Sequence, residues 1–267
     1  MIVIKIGGSV VDGLHKSTMP DLKDVSSRGK VMLVHGGGKE VTNIAEKLGK
    51  EQKFVVSPGG IRSRYTDKET AEIYTMVMSG KINKEIVLML QKNGINAIGL
   101  SGVDGAIIKA ERKKRLVVID ERGRKVAIDG GYTGKITSVN ASLLQTVLDN
   151  GYVPVVSPIA ISEDFDLLNV DGDRAAAYVA GGVKANHVIF ITNVNGLMMD
   201  DKLVTKLTAD EAKKMLPKIG FGMEKKVLAC TEALDMGVKE AIIASGQVNN
   251  PISAALKHDN CTVISGE

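Results

Sequence analysis

The stretch Ile2-Val3-Ile4-Lys5-Ile6-Gly7-Gly8-Ser9 decides the architecture. Branched apolar residues surround a single lysine, the pattern of a fully buried strand, and glycines follow at once. Glycine lets backbone approach an anion closely. An ammonium inside such a strand is costly unless an anion meets it, so Lys5 is expected to emerge at the strand end, facing the glycine turn. The plain alternative is a stem laid along apolar surface with its charge reaching water.

The same grammar recurs outward from this point. Val31 to His35 is apolar and runs into Gly36-Gly37-Gly38, and Gly59-Gly60 makes a third glycine turn. Ala97 to Leu100, Val153 to Val156, Val188 to Thr192 and Ala241 to Ala244 read as further buried strands, separated by longer amphipathic stretches. Strands alternating with helices imply an α/β fold, a three-layer αβα sandwich with a mainly parallel central sheet. Open sheets of this kind bind ligands at strand ends, and helix N-termini there present unpaired N–H groups to anions. Each glycine turn alone is equally well explained as tight-turn geometry. Gly36-Gly37-Gly38 lacks the third glycine of G-x-G-x-x-G, and no G-x-x-x-x-G-K-[ST] occurs, so Rossmann and P-loop nucleotide sites are disfavoured.

Composition narrows the class. The chain has 267 residues, 44% hydrophobic and 25% charged, enough for one large domain with a full core. Aromatic residues make up only 3%, with no Trp, which leaves little for stacking nucleic-acid bases. Cys230 and Cys261 stand alone, without C-x-x-C spacing or a His pair, so neither zinc nor a disulfide framework is expected. No apolar run approaches the ~20 residues of a membrane span, and the chain opens on a strand without a basic leader; a cytoplasmic protein is expected.

Three helix starts carry polar groups. Thr66-Asp67 with Glu69 reads as a capped start, followed by an apolar stripe from Ile73 to Leu90 suited to core or dimer contact. Asn169-Val170-Asp171-Gly172-Asp173 precedes the alanine-rich run from Arg174 to Ala180, where Asp residues are ordinarily caps. Gly222-Met223-Glu224-Lys225-Lys226 opens another helix with paired cations. Between Ile107 and Ile136 the alternating pattern, with Glu121-Arg122-Gly123-Arg124 as its turn, predicts an antiparallel hairpin beside the sheet. That segment is strongly basic, with Arg112, Lys113, Lys114, Arg115, Arg122, Arg124 and Lys125.

Lys5-Ile6-Gly7-Gly8, His35-Gly36-Gly37-Gly38, Arg64-Tyr65-Thr66-Asp67, Asn169 through Asp173 and Gly222-Met223-x-x-Lys226 together resemble the amino acid kinase family, specifically its N-acetylglutamate kinase branch. The resemblance runs over nearly the whole chain. It implies that Lys5 and Lys226 bridge the transferring phosphoryl group of ATP while Asp173 positions both. It implies that Gly8, with Ser9, and Gly37, beside Gly36, meet phosphate or substrate, and that Arg64 and Asn169 fix the amino-acid end. Thr192, Asn193, Val194, Gly196 and Leu197 would cradle the nucleotide, with Lys206 nearby. ATP would enter with Mg²⁺ held mainly by its phosphates rather than by a protein metal site.

A side-chain carboxylate fits this chemistry as phosphoryl acceptor, because it is already ionised and needs no general base. The extra arginine in Gly60-Ile61-Arg62-Ser63-Arg64-Tyr65-Thr66 resembles family members that act on aminoadipate or glutamate attached to a small acidic amino-group carrier protein. On that reading Arg62 and the basic residues Arg112, Lys113, Lys114 and Arg115 are candidate carrier contacts. Asn193 stands where many relatives carry Asp, as it does in that branch. The expected organisation is a single domain over 1–267. Roughly 1–165 would form a substrate lobe with the dimer helix and basic hairpin, and 166–267 an ATP lobe. The chain opens directly on its first strand, without the N-terminal helix of arginine-inhibited hexamers, so a homodimer without arginine feedback is expected. Two alternatives stay open: a kinase for free N-acetylglutamate, and a catalytically silent ligand sensor on the same fold.

Overall fold

A computed structural model of the chain describes residues 1–8, 13–220 and 222–266. The strand Ile2–Ile6 lies in the middle of an eight-stranded sheet. Across the sheet the order is Lys206–Thr208, Thr262–Ser265, Glu240–Ser245, His187–Thr192, Ile2–Ile6, Val31–His35, Val153–Ser157 and Ala97–Ser101. All run parallel except the first two, which run against the rest at one edge.

Strand periodicity divides the core between two faces. Val3, Val34, Val156, Val188 and Phe190 pack with the alanine-rich helix Gly172–Gly182 and the helix Met223–Asp235. Ile4, Leu33, Val155, Ile189 and Ile191 pack on the opposite face with helices Thr18–Arg28, Gly38–Lys47, Asn83–Lys92 and Pro251–Leu256. Helices on both faces make the expected three-layer αβα sandwich. Each fully buried aliphatic side chain adds about 1.5–3 kcal/mol, so the alternation fixes the register of every central strand.

The accessory region departs from the single hairpin predicted over Ile107 to Ile136. Its base, Ile108–Arg112 and Gly134–Val139, belongs to a four-stranded sheet completed by Ile159–Ile161 and Leu167–Asn169. Its tip, Arg115–Ile119 paired with Lys125–Asp129, is a separate two-stranded hairpin. A kink parts the two: a Cβ on Gly130 would lie 1.6 Å from the Lys113 carbonyl oxygen, so only glycine fits there.

The stripe from Ile73 to Leu90 is likewise not one continuous α-helix. Lys68–Thr75 and Asn83–Lys92 are α-helical, but Met76–Ile82 between them is a π-helix. Asp67 caps the first turn, accepting from the Thr70 N–H at 2.8 Å. Gly59-Gly60 is the turn of a short hairpin, Phe54–Val56 with Arg62–Arg64, and Gly60 has φ +83°. That third glycine turn is therefore hairpin geometry rather than an anion loop.

Candidate active site

Residue parity places Lys5 on the Val3 face, beneath the helices Gly172–Gly182 and Met223–Asp235. Asp171 takes the cap of the first helix, accepting from the N–H groups of Asp173 (2.9 Å) and Arg174 (3.1 Å). That leaves Asp173, in the first turn, free to point inward. Its Oδ1 lies 2.6 Å from Lys5 Nζ, and its Oδ2 accepts from Lys226 Nζ at 3.0 Å. Burial alone pushes the Asp173 carboxyl up, but the charges and hydrogen bonds of Lys5 and Lys226 outweigh it and hold it below its usual range. Two ammonium groups against one carboxylate leave a net positive charge, which suits a phosphate.

Packing explains why these groups meet. Ala175, Ala176, Ala177 and Ala180 are buried and small, so the second helix approaches closely with Ala229, Cys230 and Ala233. Arg174 staples the two helices through a bidentate pair, Nε to Glu232 Oε2 at 2.9 Å and Nη2 to Glu232 Oε1 at 2.5 Å. Cys230 lies in this interface as a buried thiol whose pKa burial pushes well up, so it is inert packing rather than a nucleophile.

Two of the glycine turns close over the lysines. The Gly8 and Gly37 N–H groups donate to nothing among the described residues, while the Gly36 N–H is taken by the Ile6 carbonyl at 2.9 Å. Ser9 lies outside the described residues. Behind this loop His35 is buried; its Nδ1–H donates to Gly36 O at 3.0 Å and its Nε2 accepts from Asn83 Nδ2 at 3.2 Å. Accepting from Asn83 at Nε2 requires the neutral ring, and burial drives the His35 pKa down to about 4 against the Gly36 bond, which favours the charged form. Asn83 follows the π-helix directly, and Met78 and Ile82 within that segment pack under Gly37. A π-turn inside a helix often marks a functional site, and here it seats the glycine loop.

A cleft of about 1000 Å³ opens at these strand ends. Lining it are Lys5, Gly8, Gly36, Gly37, Arg64, Asn169, Asp173, Thr192, Asn193, Val194, Gly196, Leu197 and Lys226, together with Arg62 and Lys113. Arg64 is largely committed to the protein: Nη2 donates to Gly38 O (2.7 Å) and Thr42 Oγ1 (2.9 Å), and Nη1 to Gln52 Oε1. Its Nε–H and one Nη1–H remain for a ligand. Asn169 Nδ2 donates to Thr66 Oγ1 at 2.9 Å, and its amide oxygen has no partner among the described residues. On the nucleotide side the Leu197 N–H is already spent on Thr262 Oγ1 at 2.8 Å. Gly196 is required by packing, since a Cβ there would lie 2.3 Å from Thr262 Oγ1.

The expected carrier contacts divide. Arg112 is exposed but braced, with Nε donating to Gly131 O at 2.7 Å, its guanidinium 4.2 Å above the Tyr132 ring and Asp166 at 3.5 Å. These contacts tie it to the accessory region while the residue stays exposed. Lys113 faces the cleft. Lys114 and Arg115 lie outside it, exposed and without an ion pair among the described residues. Arg62 is exposed and lies 3.8 Å over the Phe54 ring. Sequence reasoning quoted His35 and Lys225 within their motifs but gave them no contact, and it missed Asn83 and the Arg174–Glu232 pair; each depends on contacts between distant segments. Among the described residues no group of three His, Cys, Asp or Glu side chains is arranged to hold a metal. No described helix is long and apolar enough to cross a membrane.

The chain is similar to known proteins along its whole length. A protein of Nitrosopumilus maritimus, named provisionally a LysW-aminoadipate/LysW-glutamate kinase, is 69% identical over 100% of both chains. The LysW-aminoadipate/LysW-glutamate kinase of Saccharolobus islandicus is 45% identical, again over 100% of both. Among solved structures, N-acetylglutamate synthase from Neisseria gonorrhoeae shares the fold, with a TM-score of 0.79 and 20% identity over 100% of this chain and 59% of its own. The profile of the amino acid kinase family matches residues 1–245, and this chain belongs to the amino acid kinase family.

Proposed function

We propose that this enzyme transfers the γ-phosphoryl group of ATP to the side-chain carboxylate of aminoadipate or glutamate carried on LysW, giving an acyl phosphate for lysine or arginine biosynthesis. The observation that carries the chemistry is the clasp of Lys5 and Lys226 on Asp173, 2.6 and 3.0 Å from its oxygens. With an anionic nucleophile and an anionic triphosphate, the barrier is charge repulsion, and two oriented ammonium groups plus the free Gly8 and Gly37 N–H donors offset it. Asp173 acts by positioning; it holds both lysines without approaching the phosphate itself. Arg64 and Asn169 orient the amino-acid end, and Thr192, Asn193, Val194, Gly196 and Leu197 wall the nucleotide. Mg²⁺ would be held by the phosphates, since Asp171 and Asp173 are already committed as cap and clasp.

The carrier version of the reaction is supported by the full-length relatives named for it. It is supported also by the exposed Lys114, Arg115, Arg122 and Lys125, which form no ion pair among the described residues and suit an acidic protein. Free N-acetylglutamate is the second substrate to test. We place the amino-acid lobe at about 1–165 and the ATP lobe at 166–267. A homodimer would form through the helix carrying exposed Met76 and Leu88, in a cytoplasmic enzyme. The deciding experiment follows ADP release with LysW-linked aminoadipate, LysW-linked glutamate and free N-acetylglutamate in parallel. Turnover of the LysW-linked substrates above the free one is expected; ADP release with none of the three would sink the assignment.

A further inference from the structure

Lys113 stands in the cleft wall with no carboxylate at ion-pair distance among the described residues. The residue is half-buried, and its ammonium makes no hydrogen bond or ion pair among the described residues. Burial, then the neighbouring charge of Arg174, lower its pKa, with Asp171 pulling the other way and Lys135 adding repulsion. Beside it, Thr133 Oγ1 is buried and also lacks a hydrogen-bond partner. Both residues line the cleft, and the Lys113 N–H donates to the Thr133 carbonyl at 2.9 Å, so the two are neighbours on adjacent segments.

Their backbone is held firmly. Gly130 packs against the Lys113 carbonyl where no Cβ fits, and its N–H donates to Lys114 O at 3.1 Å. A fixed, half-buried cation and an orphaned hydroxyl are both unfavourable unless one ligand satisfies both. A carboxylate does so, accepting from the ammonium and from the hydroxyl at once.

We propose that Lys113 and Thr133 form a carboxylate subsite, distinct from Arg64 and Asn169, that receives a second carboxylate of the substrate. The inference rests on the amino-acid kinase reading above and deepens it. The carboxylate has two possible sources: the α-carboxylate of the amino acid itself, or an acidic residue of the carrier next to the attachment point. Only the carrier-linked substrate offers both.

The test compares wild type, Lys113→Met, Lys113→Arg and Thr133→Val with LysW-linked glutamate and with N-acetylglutamate, measuring KM and kcat for each and KM for ATP. Lys113→Met is expected to raise the KM of the substrate about 10-fold or more, the scale of one charged hydrogen bond, with KM for ATP unchanged. Lys113→Arg restores most of the loss, and Thr133→Val shows a smaller rise of about 3-fold or more. A loss with both substrates assigns the α-carboxylate; a loss with LysW-linked glutamate alone assigns the carrier. KM values within about twofold of wild type for Lys113→Met on both substrates overturn the subsite. If wild type turns over no LysW-linked substrate, the carrier reading fails independently. The subsite is then read by calorimetric titration of N-acetylglutamate, where equal affinity of wild type and Lys113→Met, or no binding to either, overturns it.

Discussion

Gly8 and Gly37 touch backbone to backbone: a Cβ on Gly8 would lie 2.4 Å from Gly37 Cα and 2.6 Å from Gly37 N. Neither atom can swing aside like a side-chain end, so Gly8→Ala must push the two loops apart. Displacing the free Gly8 and Gly37 N–H donors by even ~1 Å is expected to lower kcat by about 10²-fold. Gly59→Ala is the control, since its new methyl meets only Ser57 Oγ at 3.9 Å. Steady-state rates of both variants check this; equal activities would mean the loop contact does not position the phosphate.

The clasp on Asp173 separates chemistry from stability. Lys5→Met and Lys226→Met each remove one charge aimed at the phosphate, and each is expected to cut kcat by about 10²-fold or more. Their double variant should lose less than the product of the two, because they act on one group. Asp173→Ala instead leaves the buried Lys5 and half-buried Lys226 ammonium groups without their shared carboxylate, and a loss of about 3 kcal/mol in unfolding free energy is expected by urea titration. Lys5→Met should cost less, since Asp173 keeps Lys226.

The strands were legible because burial on both faces leaves an unmistakable run, as in Ile2–Ile6 and His187–Thr192. Lys5 stood out for the same reason, being the lone charge in such a run. What the sequence did not carry was pairing at a distance. The alternation of Ile108–Arg112 is real, yet its partners, Gly134–Val139 and Ile159–Ile161, are chosen by tertiary packing. As residues Asp171 and Asp173 looked alike as caps; the family resemblance singled out Asp173, and in the fold Lys5 and Lys226, arriving from a strand and another helix, distinguish it. The π-turn at Met76–Ile82 has no local signature beyond Ser79-Gly80; what accompanies it is a tertiary contact, Met78 and Ile82 packed against Gly37.

Acid should weaken the fold through His35. The folded-state pKa is about 4, against 6.5 for the free side chain, so the unfolded chain takes up the proton first as pH falls. The full contribution is present above pH ~6.5 and is lost toward pH ~4, amounting to about 3 kcal/mol. His187, lowered chiefly by burial, adds to the loss with the same sign. Asp173 also has a depressed pKa, but a carboxylate loses its contribution only below its ordinary range, at more acid pH. Urea unfolding at pH 7 and 4.5 measures the slope, and His35→Gln should flatten it; an unchanged slope would contradict the buried neutral ring.

Charge outside the cleft should govern encounter with the carrier rather than catalysis. Lys114, Arg115, Arg122 and Lys125 are exposed without ion pairs among the described residues, whereas Arg124 is tied to Asp120 at 2.8 Å. Raising salt to about 1 M, where the Debye length is ~3 Å, is expected to lower kcat/KM for LysW-linked glutamate several-fold while kcat holds. Arg115→Glu with Lys125→Glu should give a similar loss at low salt and little further loss at high salt. Salt-independent kcat/KM would remove the hairpin from carrier docking.

Lys225 links the two sides of the cleft at a point where nothing catalytic occurs. Its Nζ donates to the Arg62 carbonyl at 2.7 Å, reaching from the helix that carries Lys226 to the hairpin Phe54–Arg64, and it lies 3.9 Å from Asp171. Because Lys226 is the next residue, closing the hairpin and seating the second ammonium share one helix turn. Lys225→Met removes a charged donor from a neutral carbonyl, an exchange of about 1–2 kcal/mol. An increase of about 5- to 30-fold in KM for the amino-acid substrate is therefore expected, with a smaller change in kcat. Arginine retains the donor, so Lys225→Arg should recover most of the affinity. A fall in kcat at constant KM, unrelieved by arginine, would instead put Lys225 beside the phosphate in the chemical step.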